Sequence, residues 1–150
     1  MKPLILLIAA FAVSTTISRL TTGLGNLPFS GNLAMCLMLL LTAFGHFKFT
    51  RGMTMMIPPF IPFKTALVYV TGVAEVVLGI ALLSTSLRHY AGYVLIAFFI
   101  LITPANIYAA VKRLDLEKGS YTGPGINYLW FRMPLQLFFI AWISYFSILL

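Results

Sequence analysis

Acidic residues are the scarcest chemistry in this chain: Asp and Glu together number three among 150 residues, against ten Lys and Arg. Charged residues of both signs make up 9% of the sequence, where a water-soluble domain carries about 25%. So few charges cannot cover a water-facing surface, which excludes an ordinary soluble domain. There is one cysteine, Cys36, inside an apolar run. A single thiol excludes an internal disulfide, a CxxC redox pair and a cysteine-based zinc site within the chain. Cys36 therefore reads as a small buried hydrophobe. Only two histidines occur, and His46 has no second histidine beside it, so no metal site is expected. No repeat and no low-complexity tract is present.

What fills the sequence instead is hydrocarbon: 61% hydrophobic residues and a mean hydropathy of +1.00. Lipid must be the solvent of such a chain, and its length suits one domain, 1–150. Five apolar segments, at about 3–17, 31–47, 65–85, 91–111 and 126–149, approach the ~20 residues that span a bilayer core. Backbone groups in lipid must be satisfied within their own segment, so each run is expected to be a helix and the fold all-α and polytopic. The first and shortest run is read as a retained helix, the alternative being a signal peptide opened by Lys2. Residues 51–62 mix Met and Phe with three prolines. They are too broken to span and are expected to lie at the headgroup boundary. Arg88-His89 reads as a tight hairpin, and 112–125 as the one truly polar loop.

The net charge of +7 carries topology rather than a nucleic-acid footprint, because the basic residues sit at the ends of apolar runs. Lys2, Lys48, Arg51, Lys64, Lys112, Arg113 and Lys118 fall on the side of the N-terminus, and only Arg19 and Arg88 on the other. Positive loops stay cytoplasmic, which predicts an N-terminus inside and a C-terminus outside.

The polar residues inside the apolar runs are the candidate site. Glu75 falls about 15 Å into the third segment. An acid there costs roughly 2.5–3.5 kcal/mol on insertion scales and normally faces a bundle interior. Thr71, Gly72 and Gly79 share its face, a small-residue stripe suited to close helix packing. A structural and a functional role for Glu75 stand side by side. Arg132 and Gln136 are four apart on the fifth segment, at about 9 and 15 Å depth. An Arg132–Glu75 pair is expected, with snorkelling of Arg132 to the headgroups as the alternative. Pro104 is expected to kink the fourth segment just before Asn106. His46, at the end of the second, reads as an interfacial hydrogen-bonding residue. One cavity opening to the cytoplasm and floored by Glu75 would gather His46, Glu75, Asn106, Arg132 and Gln136. Tyr108, Tyr128 and Trp130 read as interfacial anchors.

The run Gly45-His46-Phe47, then Met56-Ile57-Pro58-Pro59, then Tyr69 to Glu75 resembles the DoxX family of small membrane proteins. So do Pro104-Ala105-Asn106-Ile107-Tyr108 and the stretch from Tyr128 through Trp130, Arg132 and Pro134 to Gln136. The likeness covers about 31–147. It implies a DoxX-like four-helix bundle with an additional N-terminal transmembrane helix, in a prokaryotic cytoplasmic membrane. It also implies a redox association, through a bound quinone or a partner oxidoreductase.

The chain holds no paired thiols and no haem or metal ligand set, so no cofactor is expected within it beyond a bound quinone or lipid. The favoured expectation is a component that is not an enzyme alone. It would bind a lipophilic ligand or a membrane-protein partner, and the site residues would orient the ligand's polar atoms. The alternatives are a quinone-dependent oxidoreductase using Glu75 or His46 as proton donor or acceptor, and an assembly factor for other membrane proteins. A transporter or channel fits least, because no inverted repeat and no second intramembrane acid is present.

Overall fold

A computed structural model describes residues 2–150. Among them the chain is helical without a β-strand, in the order α1 (Lys2–Thr22), α2 (Leu27–Lys48), α3 (Thr50–Met55), α4 (Lys64–Ala81), α5 (Arg88–Val111) and α6 (Leu129–Ile143). A 3₁₀ turn, Gly125–Tyr128, leads into α6, and a π-helical tail, Ser144–Leu149, continues it. Five helices are long and apolar enough to cross a membrane: α1, α2, α4, α5 and α6 with its extensions.

The helix ends differ from the sequence reading in an instructive way. α1 runs five residues past the expected end at 17, because hydroxyl side chains carry the backbone through the polar stretch. Thr16, Thr21 and Thr22 donate to the carbonyls of Ala12, Ile17 and Ser18, each one turn back. The hairpin between the third and fourth spans is 82–87, and Arg88 and His89 belong to the first turn of α5 rather than to the turn itself. α2 starts early because Asn26 caps it, its Oδ1 accepting from the Phe29 amide at 3.2 Å, with Pro28 in the first turn.

α2 is the centre of the bundle. Half of its most apolar stretch is buried, against 6% for α1, which packs along one side only. α2 contributes Met35, Met38 and Leu39 to the core; Leu7 of α1, Leu95 and Phe99 of α5 and Phe139 and Ile143 of α6 close around them. Since hydrocarbon tails are as apolar as these side chains, close packing and polar contacts must hold the helices together.

The segment expected at the headgroup boundary divides in two. Its first half is α3; its second half, 56–63, reverses direction through Pro58, Pro59 and Pro62 and enters α4 at Phe63, held left-handed at φ 56°. That conformation costs about 1 kcal/mol for a residue with a Cβ, and the packing around it must supply the difference. Gly52 of α3 lies directly against the Leu116 carbonyl of the loop before α6, an approach only glycine permits. Lys2 meets Glu117 of the same loop at 3.8 Å, so the start of α1 and the 112–124 loop share one end of the bundle.

Candidate functional site

Two polar seams run through the bundle, one between α2 and α4 and one between α5 and α6. The first begins as a packing pattern. The buried residues of α4 are Val68, Gly72, Glu75 and Gly79, a stripe at spacings of four, three and four that faces α2. A Cβ on Gly72 would stand 2.8 Å from His46 Cβ, and one on Gly79 3.5 Å from Leu39 Cβ. The two glycines bring the backbones close, and Glu75 between them is pressed against α2 rather than exposed to lipid. It retains only 5% of its accessible surface.

His46 is the partner of Glu75. Its Nε2 is 3.4 Å from Glu75 Oε1, and the Thr42 hydroxyl donates to Oε2 at 2.8 Å. The other imidazole nitrogen, Nδ1, faces the Val68 carbonyl at 2.9 Å and the Thr71 hydroxyl at 3.2 Å. A carbonyl only accepts, so the ring proton is assigned to Nδ1, which leaves Nε2 facing the Glu75 carboxyl. The acid thus has a base as its nearest ionisable neighbour. That is the condition for keeping an acid in a low-dielectric interior.

The second seam is made of neutral groups. Gln136 is buried between α5 and α6, where its Nε2 donates to the Phe99 carbonyl and, at 2.6 Å, to the Thr103 hydroxyl. Its Oε1 accepts from Asn106 Nδ2 at 3.2 Å. Thr103 completes the set by donating to the Phe99 carbonyl at 3.0 Å. This network sits beside Pro104, in the part of α5 where proline has removed one rung of the backbone ladder.

The five residues singled out from the sequence thus fall into two pairs and a remainder. His46 joins Glu75, Asn106 joins Gln136, and no hydrogen bond links the pairs. The expected Arg132–Glu75 pair does not form: Arg132 is half-buried and makes no ion pair or hydrogen bond among the described residues. The reason is geometric. Depth counted from helix ends placed His46 at the boundary and Glu75 deep, but α2 ends well below the start of α4. His46, two residues from the end of α2, lies level with Gly72, eight residues into α4. The connection between the two helices, residues 49–63, comprises α3 and the proline-rich 56–63 stretch.

Thr42, Thr71 and Thr103 take part in these networks although only their spacing gave them away: Thr42 is one turn before His46, and Thr103 immediately precedes Pro104. A third buried polar cluster escaped the sequence reading altogether. Asn32 donates to the Pro28 and Phe146 carbonyls at 2.7 and 3.0 Å, and the Ser147 hydroxyl donates to its Oδ1 at 2.6 Å. Phe146 lies in the last turn, where carbonyls lack helical donors, so Asn32 acts as a cap supplied by another helix.

Two clefts stand out on the surface, and none of the five candidates lines either. One, of about 710 Å³, lies between α1 and α2. The other, of about 680 Å³, lies beside Pro104 of α5; Pro58, Ile100, Thr103, Ile107, Tyr108 and Val111 form its walls. Thr103 connects this second cleft to the Gln136 network behind it. Among the described residues no three His, Cys, Asp or Glu side chains stand close enough to hold a metal ion.

Residues 35–147 match the family described as Domain of unknown function (DUF8561). The chain belongs to this family. The matched span contains both polar seams and begins inside α2, so α1 lies outside it. No curated protein and no solved structure matches the chain.

Proposed function

We propose that this protein is a DoxX-like component of a prokaryotic cytoplasmic membrane that holds a lipophilic ligand of the quinone class and performs no chemistry alone. It would lie with its N-terminus in the cytoplasm and its C-terminus outside, and would serve a partner oxidoreductase. The observation that carries this reading is the cleft beside Pro104. Ile100, Ile107 and Val111 offer a quinone tail the apolar wall it needs, and the Tyr108 hydroxyl, which makes no hydrogen bond among the described residues, offers a donor to a ring carbonyl. Behind it the Asn106–Gln136–Thr103 network stiffens the wall without presenting a reactive group. Internal pairing of the buried polar side chains supports a holding role over a catalytic one.

The test is extraction of the small molecules that accompany the detergent-purified protein. A quinone is expected at near one per chain in the unaltered protein, and its loss is expected in Ile107→Trp, which fills the cleft. Protein that carries no quinone and takes none up from solution rules the reading out.

The His46–Glu75 pair favours a second reading, a quinone-dependent oxidoreductase in its own right, because reduction of a quinone by a donor substrate's two electrons also takes up two protons, one of which the pair would deliver. Glu75→Gln then abolishes turnover while the helix content is unchanged. The pair lines neither cleft and belongs to a different helix seam, which supports the first reading over the second.

A further inference from the structure

The cleft between α1 and α2 is amphipathic along its length. Ala10 and Val13 of α1 and Leu33 and Leu37 of α2 form its deep part; Ser18, Thr21 and Asn26 stand at its mouth, by the α1–α2 turn. From Ala10 to Thr21 is eleven residues of helix, about 16 Å, close to the ~15 Å that one leaflet contributes to the hydrocarbon core. The groove therefore has the length of one acyl chain and turns polar where a headgroup begins.

The charge at the mouth has no ion-pair partner among the described residues. Arg19 lies there with its side chain laid over Gly25, where an added Cβ would stand 3.2 Å from both Cγ and Nε of the arginine. The chain has only three acids. Glu75 is committed to His46, and Asp115 and Glu117 belong to the loop that meets Lys2, at the other end of α1. Seventeen residues of helix, about 26 Å, separate Lys2 from Arg19. No Asp or Glu side chain forms an ion pair with the arginine among the described residues, which leaves its guanidinium available to an anion from outside the protein. Asn26 adds a donor: its Oδ1 is used by the Phe29 amide, while its Nδ2 makes no hydrogen bond among the described residues.

From this juxtaposition we infer that the α1–α2 groove is a binding site for one anionic phospholipid of the adjoining leaflet. The phosphate would be held by Arg19 and Asn26, and one acyl chain would lie along Val13, Leu33 and Leu37. The site depends on α1 and is independent of any ligand in the cleft on α5.

The experiment is native mass spectrometry of the full chain released from bilayer discs containing equal phosphatidylglycerol and phosphatidylcholine. One phosphatidylglycerol is expected to stay bound under activation that strips the remaining lipid. Arg19→Gln should cut the preference for phosphatidylglycerol by roughly tenfold, as loss of a charge-assisted contact implies. Val13→Trp and Leu37→Trp, which fill the groove from its lipid-facing walls, should lose the retained lipid while circular dichroism shows unchanged helix content. Ile107→Trp in the other cleft should retain it. The inference is overturned if the unaltered protein keeps no lipid, if it keeps the two lipids equally, or if the groove-filling variants keep as much as it does.

Discussion

The two polar seams solve the same problem with different chemistry. Between α2 and α4 a titratable acid is matched to a single titratable base, with glycines on either side bringing the backbones into contact. Between α5 and α6 the polar groups are amides and hydroxyls, with three partners for Gln136 and two for Thr103. A neutral network distributes its bonds, so losing one leaves the rest in place. An acid–base pair does not: removing the base leaves the acid without the group that answers its charge, and an unanswered charge in low dielectric costs more than a lost neutral hydrogen bond.

The largest expected effect therefore comes from breaking the pair on one side only. His46→Ala leaves Glu75 without its base and is expected to destabilise the protein by about 3 kcal/mol, read from denaturant unfolding in mixed micelles. A loss as small as that of a neutral-seam variant would erase the distinction between the seams. Gly72→Leu comes next. Its side chain must displace His46 and part α4 from α2, with an expected cost of about 1–3 kcal/mol. Gln136→Leu removes three hydrogen bonds from the neutral seam, with an expected loss of about 1–2 kcal/mol, since contacts of this kind in membrane bundles average ~0.6 kcal/mol each and Thr103 keeps its bond to Phe99.

The smallest effect sharpens the assignment of partners. Arg132→Gln is expected to change stability by less than about 0.5 kcal/mol, the ordinary size for a side chain outside any network. A double-mutant cycle separates the two candidate bases. Coupling of about 1 kcal/mol or more is expected between His46→Ala and Glu75→Gln, and coupling near zero between Arg132→Gln and Glu75→Gln. The reverse pattern would mean that α6, not α2, neutralises the acid.

Much of this was legible before any coordinates. Glu75 announced itself by its cost, and Gly72 and Gly79 announced the face it shares. The requirement for a basic partner followed as well. The identity of that partner did not, because depth was counted from helix ends as though all ends were flush. α2 stops short of the level at which α4 begins, so an apparently peripheral His46 arrives beside a deep acid. Gln136 and Asn106 were recognised as polar, but their mutual bond depends on how α5 and α6 are rotated about their axes, which helical periodicity within either one does not specify. Asn32 was passed over because a lone amide near a helix start looks like a solvated residue; only the return of the chain's last turn to that spot buries it.

The five apolar helices, the scarcity of charge that makes lipid the solvent, and the need to shelter one intramembrane acid were determined by the sequence alone, because each follows from local composition and the energetics of a single span. Which base meets that acid, and the separation of the polar residues into independent seams, were decided only in the tertiary structure. Relative height and rotation of helices belong to pairs of segments, and no segment encodes them by itself.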